Sequence, residues 1–346
     1  MRRVLFAILI AAALVLPARA SELTAPEPAG SAADYMPQDT MDLLAGFRSV
    51  LGKAIAAVRP DLKEAAAVCL GLMATVLLIS ILQSISEPIK RTANLAGTAA
   101  ISAALLTGMN SMMPLATKIV TELCEYGKLL LPVMTSAMAA QGMGASSAAL
   151  YTITALFVDA ISQVIISVLV PGVYLFLALA IAGNAMREGV LKRLGETIKW
   201  CASWGLKTIL TLFLSFMSIT GVLSGTADTA AMKVVKTAIS TAVPVVGGIL
   251  SNATESVLVG AGLIKNAAGM YGIFAIIAIF LEPFLKIGIH YLMLKITGSL
   301  TAVFGCSHLS DLIGDFSTAM GLLLGMTGAV CILLLFSTVC FLKGVG

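Results

Sequence analysis

The sequence predicts an all-α polytopic membrane protein, a bundle of about six to eight transmembrane or re-entrant helices with amphipathic surface helices. Three observations carry this. Of 346 residues, 59% are hydrophobic and only 12% charged. The mean hydropathy is +1.00. Long runs without charge recur, such as AAAVCLGLMATVLLISILQS at 65–84. A soluble domain carries about 25% charged residues, and disorder needs low hydrophobicity with high charge, so both classes are excluded. The 31 glycines suit close approach of helix backbones in a bilayer.

Residues 1–20 have the three parts of a secretory signal peptide: Arg2 and Arg3, the apolar run Val4–Leu16, and the small-x-small site Ala18-Arg19-Ala20 after Pro17. Cleavage after Ala20 is expected, which puts the mature amino terminus outside the cytoplasm. Residues 21–38, with Pro26, Pro28, Gly30 and Pro37, read as a disordered linker. Residues 39–63 form an amphipathic extracytoplasmic helix with Leu43, Phe47, Val50, Leu51, Ala54, Ile55 and Val58 in helical period, ended by Pro60. The polytopic domain then fills 64–346.

Within it, 65–84 is the first span. A second covers 93–117, where Ala96, Ala100, Ala104 and Gly108 recur every four residues on one face. This small-residue stripe predicts a tightly packed interior helix. Residues 118–147 are too mixed for a clear crossing and suggest a re-entrant or interfacial helix. The apolar run 148–186 is too long for one straight span and should break at Pro171-Gly172. Residues 187–204 alternate a basic and an apolar face and end in Trp200 and Trp204, as in a helix lying at a membrane surface. The next span, 206–225, ends in Gly221-x-x-x-Gly225. Residues 226–267 read as broken helices, 269–296 as a span carrying charge, and 297–318 as a loop with His308, Asp311 and Asp315. The last span, 319–342, opens with Gly321-x-x-x-Gly325.

Charge fixes an orientation. Six crossings from an outside amino terminus leave 8 Lys or Arg in the 55 residues of loops 85–92, 187–207 and 294–319. The outside segments 21–63, 118–147 and 226–270 hold 9 in 118. The basic residues are thus denser inside, as the positive-inside rule requires. The chain has 22 Lys and Arg against 18 Asp and Glu, and loss of Arg2, Arg3 and Arg19 leaves 19 against 18. No basic nucleic-acid footprint is present.

No phosphate-binding glycine loop, zinc-protease motif or nucleophile elbow occurs. The six Cys, at 69, 124, 201, 306, 331 and 340, lack metal spacing. No catalytic residue, cofactor or metal is therefore expected. The unusual polar groups are Glu282, Lys286 and His290, at i, i+4 and i+8 in an apolar segment. Glu282 falls near the middle of its span, and Glu before Lys at this spacing predicts an ion pair. Asp159 and Gln163 form a second i, i+4 pair. Each group either lines a polar path or fixes helix packing.

The run from Pro244 to Gly269, PVVGGILSNATESVLVGAGLIKNAAG, closely resembles the stage III sporulation protein AE family, as do the leader, the Pro-rich linker and Glu282-Pro283-Phe284-Leu285-Lys286. The resemblance covers about residue 36 to the end of the chain. It implies a polytopic subunit, structural or pore-associated, of a secretion-like channel complex in the mother-cell membrane around the forespore. It also implies partners: a cytoplasmic secretion-type ATPase, small membrane subunits and ring-forming proteins. A stand-alone secondary transporter with a midplane polar site is the alternative, although the charged span 269–296 has no matching counterpart in the first half, where transporter repeats would place one.

Overall fold

The computed structural model describes residues 26–28, 32–37, 43–83, 87–140, 144–186, 189–219 and 267–345. Among them every regular element is a helix: α1 (Ala32–Tyr35), α2 (Leu43–Gln83), α3 (Glu87–Ala140), α4 (Gly144–Val164), a π-helical turn (Ile165–Leu169), α5 (Val170–Met186), α6 (Gly189–Ile219), α7 (Ala267–Val303) and α8 (Ser307–Val345). Five helical stretches are long and apolar enough to cross a membrane: Leu44–Gln83, Thr92–Ser136, Leu150–Met186, Gly269–Val303 and Ser307–Leu342. The leader, Gly221-x-x-x-Gly225 and most of 244–269 lie outside the described residues.

The sequence of α8 determines its place. It is apolar on every side, and a helix without a polar face belongs in the interior. All residues from Ala319 to Leu342 are buried. Its neighbours approach closely where they carry glycine: a methyl on Gly127 of α3 would run into Leu334, and one on Gly269 of α7 into Leu342. Gly321 lies against the Tyr291 ring of α7 and Gly325 against Leu206 of α6. Aromatic edges join α4, α6 and α8, with ring centroids 5.3 Å apart for Phe157–Phe213 and 5.9 Å for Phe213–Phe336.

The bundle has two ends. At the hairpin end, α7 turns into α8 through residues 304–306, with Gly305 at φ 77°, a left-handed conformation that favours glycine. Ser80 of α2 donates to the Phe304 carbonyl there. At the open end lie the start of α2 and the end of α8. The helices α2 and α7 run side by side in the same direction, meeting at Gly46 with Phe274, Asp61 with Lys286, and Met73 with Thr301.

The helices are longer than the sequence divides them. Pro60 does not end a helix. The expected surface helix and first span fuse into the 41-residue α2, so the 63/64 boundary falls within one rod. Segments 93–117 and 118–140 fuse into the 54-residue α3, with Pro114 and Pro132 inside, in place of a re-entrant element. From Gly189 the expected surface helix continues without a break into the following segment as α6, so it is not a separate element. The loop expected at 297–318 shrinks to three residues, with His308, Asp311 and Asp315 on α8. Near Pro171 the chain does not break. The π-helical turn at 165–169 takes up the clash between the proline ring and the preceding turn.

Such lengths exceed a bilayer. At 1.5 Å per residue α2 is about 62 Å long, twice the hydrocarbon thickness of about 30 Å. Its two halves differ in chemistry. All six charges of α2, Arg48, Lys53, Arg59, Asp61, Lys63 and Glu64, lie toward the open end, and 65–83 has none. That charge-free stretch is about 28 Å long. Its outward side chains include Leu70, Leu77, Leu78 and Ile81, matched by Leu292, Ile296 and Leu300 on α7. On α2 and the adjoining face of α7 the hairpin half is therefore apolar, a belt, and the open half of α2 is charged, a collar; α6 runs the other way, with Lys192, Arg193, Glu196 and Lys199 on its hairpin half. Sequence alone put Glu282 near mid-span. Its neighbour Lys286 is level with Asp61, at the edge of the belt.

Three interior threonines meet the bilayer's demand within their own helix, whereas the buried hydroxyls of Thr98, Ser102, Tyr126, Thr154 and Ser337 have no hydrogen-bond partner among the described residues. In hydrocarbon each polar group needs an internal partner. Thr297, Thr301 and Thr338 donate to the carbonyl four residues back, at 2.8 Å in each case. They enter an apolar helix without stranding a donor.

The close approach of α2 and α7 is testable. A methyl on Gly46 would run into the buried Phe274 ring, whereas one on Gly71 meets nothing within 4 Å. Gly46→Ala should destabilise the detergent-solubilised protein by about 1–3 kcal/mol, as overpacking does. Gly71→Ala should be neutral or stabilise by up to about 1 kcal/mol, through helix propensity. Thermal unfolding of the two variants should move in opposite directions or by clearly unequal amounts.

Candidate functional site

Two polar constellations stand out against the apolar bundle. The first joins α1, α2 and α7 at the edge of the belt. Lys286 Nζ lies 2.6 Å from Asp61 Oδ1, and the two side chains are only 33% and 13% exposed. Glu282 accepts a hydrogen bond from the Tyr35 hydroxyl. Burial, and then the neighbouring Glu282 carboxylate, push the Tyr35 phenol above its ordinary pKa. Lys53 donates to the backbone carbonyls of Asp34 and Met36, both at 3.0 Å. It thereby satisfies carbonyls that the four-residue α1 cannot satisfy itself.

This geometry corrects the expected Glu282–Lys286 pair. The two side chains share a helix face, but each turns to a different element: Glu282 to Tyr35 and Lys286 to Asp61. The helix-surface pairing is worth a few tenths of a kcal/mol, and a better-shielded partner from a packed neighbour wins. His290 takes no part in the ion pair. Its Nδ1 lies 3.0 Å from the Lys286 carbonyl, which can only accept, so that nitrogen carries the proton.

Asp159 and Gln163 likewise part. Asp159 pairs with Lys128 of α3 at 2.8 Å, and Gln163 Oε1 accepts from Ser167 at 3.3 Å. The Asp159–Lys128 pair is more than half exposed on both sides, so solvent screens it. The small-residue stripe is also corrected. Ala96, Ala100 and Ala104 are exposed and Gly108 is half-buried. The packed face of α3 instead uses Gly97, Thr98, Ile101, Ser102, Leu105 and Met109, one position round the helix. Alanine was too frequent along this segment for spacing to choose the face.

The second constellation is a cleft of about 410 Å³ at the hairpin end, between α5, α6 and α8. Asn184, Lys192, Ser307, His308, Asp311 and Asp315 supply its polar lining. Lys192 lies 2.9 Å from Asp311, and Asn184 donates to Asp315 at 3.3 Å. The hydrogen bond to Asp311, partly opposed by burial, raises the Lys192 pKa. Sequence reasoning named most of these residues separately, in a surface helix and in a loop. Their meeting was hidden because it depends on α6 and α8 starting at the same end. Among the described residues no group of three His, Cys, Asp or Glu side chains is placed to hold a metal ion.

These features define a class: a multi-pass helical membrane protein with a shielded ion pair, Asp61–Lys286, between two of its helices. Comparison with known proteins gives the particular family. The family model described as stage III sporulation protein AE matches residues 38–344, and the chain belongs to that family. The chain is also similar to Stage III sporulation protein AE of Bacillus subtilis (strain 168), with 26% identity over 173 residues, covering 50% of this chain and 43% of that relative. The match thus spans less than half of the relative's length. No solved structure matches the chain.

The Asp61–Lys286 pair yields a double-mutant test. Asp61→Asn leaves a shielded ammonium without its counter-charge and should destabilise by about 2–3 kcal/mol, somewhat less than in a fully buried pair. Asp61→Asn with Lys286→Met strands nothing and should recover most of that loss. Chemical or thermal unfolding of both variants in detergent measures the coupling. Equal losses in the single and double variants would contradict the pairing.

Proposed function

We propose that this protein is a non-catalytic membrane subunit of the channel complex that connects the mother cell to the forespore and is required for endospore development. The observation that carries the reading is the family match over 38–344. Its partners are a cytoplasmic secretion-type ATPase, small membrane subunits and ring-forming proteins. The membrane is the mother-cell membrane around the forespore, the hairpin end faces the cytoplasm, and the leader is removed after Ala20.

The transporter reading requires a shared polar site at the midplane. Asp159 is neutralised by Lys128 on α3 and Lys286 by Asp61 on α2, which disperses the charges such a site would gather.

Deletion of the gene should block spore formation while leaving vegetative growth intact. The doubly substituted Asp61→Asn, Lys286→Met protein should restore sporulation to at least about half the wild-type level, because removing both members of a pair is often nearly neutral. Spores formed at normal frequency by the deletion strain would overturn the proposal. A double variant that accumulates normally yet fails to complement would move the pair from scaffold to mechanism.

Orientation has its own readout. In a background without native Cys, a Cys at Ala56 should react with an impermeant maleimide applied to intact cells, and a Cys at Ser203 should not. The reverse pattern would invert the topology.

A further inference from the structure

At one level in the hairpin half the outer surface of the bundle changes from apolar to charged. Contacts between helices fix that level. Lys192 of α6 meets Asp311 of α8. The adjacent Ser310 donates to the Gly298 carbonyl of α7, and Thr301, three residues on, meets Met73 of α2. Ile79 of α2 packs over Gly97 of α3, and Gln83 meets Asn94. The two helices therefore run antiparallel, which sets Leu70 and Leu106 level with each other. Here α2 and α3 turn Leu70 and Leu106 outward, and α7 turns out Ile296 and Leu300. On α6 the outward groups are charged: Arg193 is exposed beside the open Lys192–Asp311 pair, with Glu196 one turn further on.

One surrounding cannot suit both faces. Charge puts lipid around the apolar one. The stretches 65–83 of α2 and 92–117 of α3 hold no charge, and at about 28 and 39 Å they suffice for a hydrocarbon core of about 30 Å. Beyond them charge returns on both helices, at Glu64, Lys63, Asp61 and Arg59 of α2 and from Lys118 to Lys128 of α3. The apolar length of α8 does not place the bilayer, because Ala319–Leu342 is buried in protein throughout. The one charge of α7 in this half, Lys295, lies about two and a half turns from Lys286 and so points away from α2.

The α6 face thus stands at hydrocarbon depth with charges that lipid does not solvate. Arg193 has no ion-pair partner among the described residues. Beside it, the cleft of about 410 Å³ adds Asn184, Ser307, His308 and Asp315 to Lys192 and Asp311. A cavity so polar has room for about a dozen waters at about 30 Å³ each. We propose that, in the assembled complex, the hairpin half of α6 and this cleft line a water-filled passage for small hydrophilic solutes, which enters the apolar belt from the hairpin end. Charged groups that face water at this depth mark ion and solute paths. The proposal rests on the channel-subunit reading and deepens it: α6 is the side of the chain turned to the conduit, and α2, α3 and the adjoining face of α7 are the side turned to lipid.

The test uses the assembled complex in membrane fragments from sporulating cells, open on both sides. In a background without native Cys, Val190→Cys and Leu194→Cys probe α6, and Leu70→Cys and Leu106→Cys are the controls on the apolar side. All four side chains are exposed, and two positions on each side keep the comparison if one variant fails to accumulate. A small charged methanethiosulfonate needs the ionised thiol, which forms in water and not in lipid, so it should modify the α6 positions at least about tenfold faster than the controls. Dissolving the membrane in detergent should abolish the difference. Slow labelling of Val190→Cys and Leu194→Cys that detergent releases would mean that lipid or protein covers α6, and would overturn the proposal. Fast labelling at all four positions would put the whole hairpin half in water and overturn it equally. Neither result bears on the spore counts of the deletion strain, which test the channel-subunit reading separately.

Discussion

The architecture depends on enclosing α8. A helix that is apolar on all sides for 24 residues, Ala319–Leu342, has no polar face to turn toward water. In lipid it could stand anywhere, because lipid tails are as apolar as leucine and no hydrophobic force gathers helices there. What centres it is packing. Glycines on its neighbours, Gly127 and Gly269, let Leu334 and Leu342 come within side-chain reach of foreign backbones. Dispersion contacts are individually worth about 0.1–0.2 kcal/mol and become large only when many are made together. A helix buried all round makes the most of them, and the others take positions that complete the enclosure.

Once α8 is enclosed, the surrounding helices must dispose of their polar groups between one another. The solutions grade with depth. Deep in the bundle, Thr297, Thr301 and Thr338 return their hydroxyls to their own backbone. At the edge of the belt, Lys286 and Asp61 form a short, shielded pair. Nearer the surface, Lys128 of α3 and Asp159 of α4 meet in the open. Each arrangement suits the local penalty for an unpaired group, which falls as water becomes accessible.

The fold class was legible because composition and long apolar runs survive any detail of packing. The crossing segments were legible too, but their boundaries were not. Pro60 reads locally as a helix end, yet it lies within a continuous helix, as do Pro114 and Pro132. Proline removes one hydrogen bond and forces a bend, and neighbouring helices supply enough contact to carry the rod through. The sequence reading singled out Glu282, Lys286 and His290 on α7 but not their partners Asp61 and Tyr35. Glu282, Lys286 and Asp61 are all visible in the sequence, but the choice between a neighbour four residues away and one on another helix depends on the α2–α7 register. That register is fixed by Gly46 under Phe274, which no local pattern reveals.

The continuity of α2 has a mechanical consequence. Its belt half is set in the bundle by Val76 and Ile79, both buried, and its collar half by Val50 and Val58. No turn lies between them, so the two halves cannot move independently without bending at Pro60. Asp61, the residue after that proline, is fastened to α7 by the shortest described ion pair. The point where α2 could most easily flex is therefore the point most firmly clamped. The Asp61–Lys286 clamp and the hairpin turn thus link the collar half of α2, through α7, to the enclosed α8.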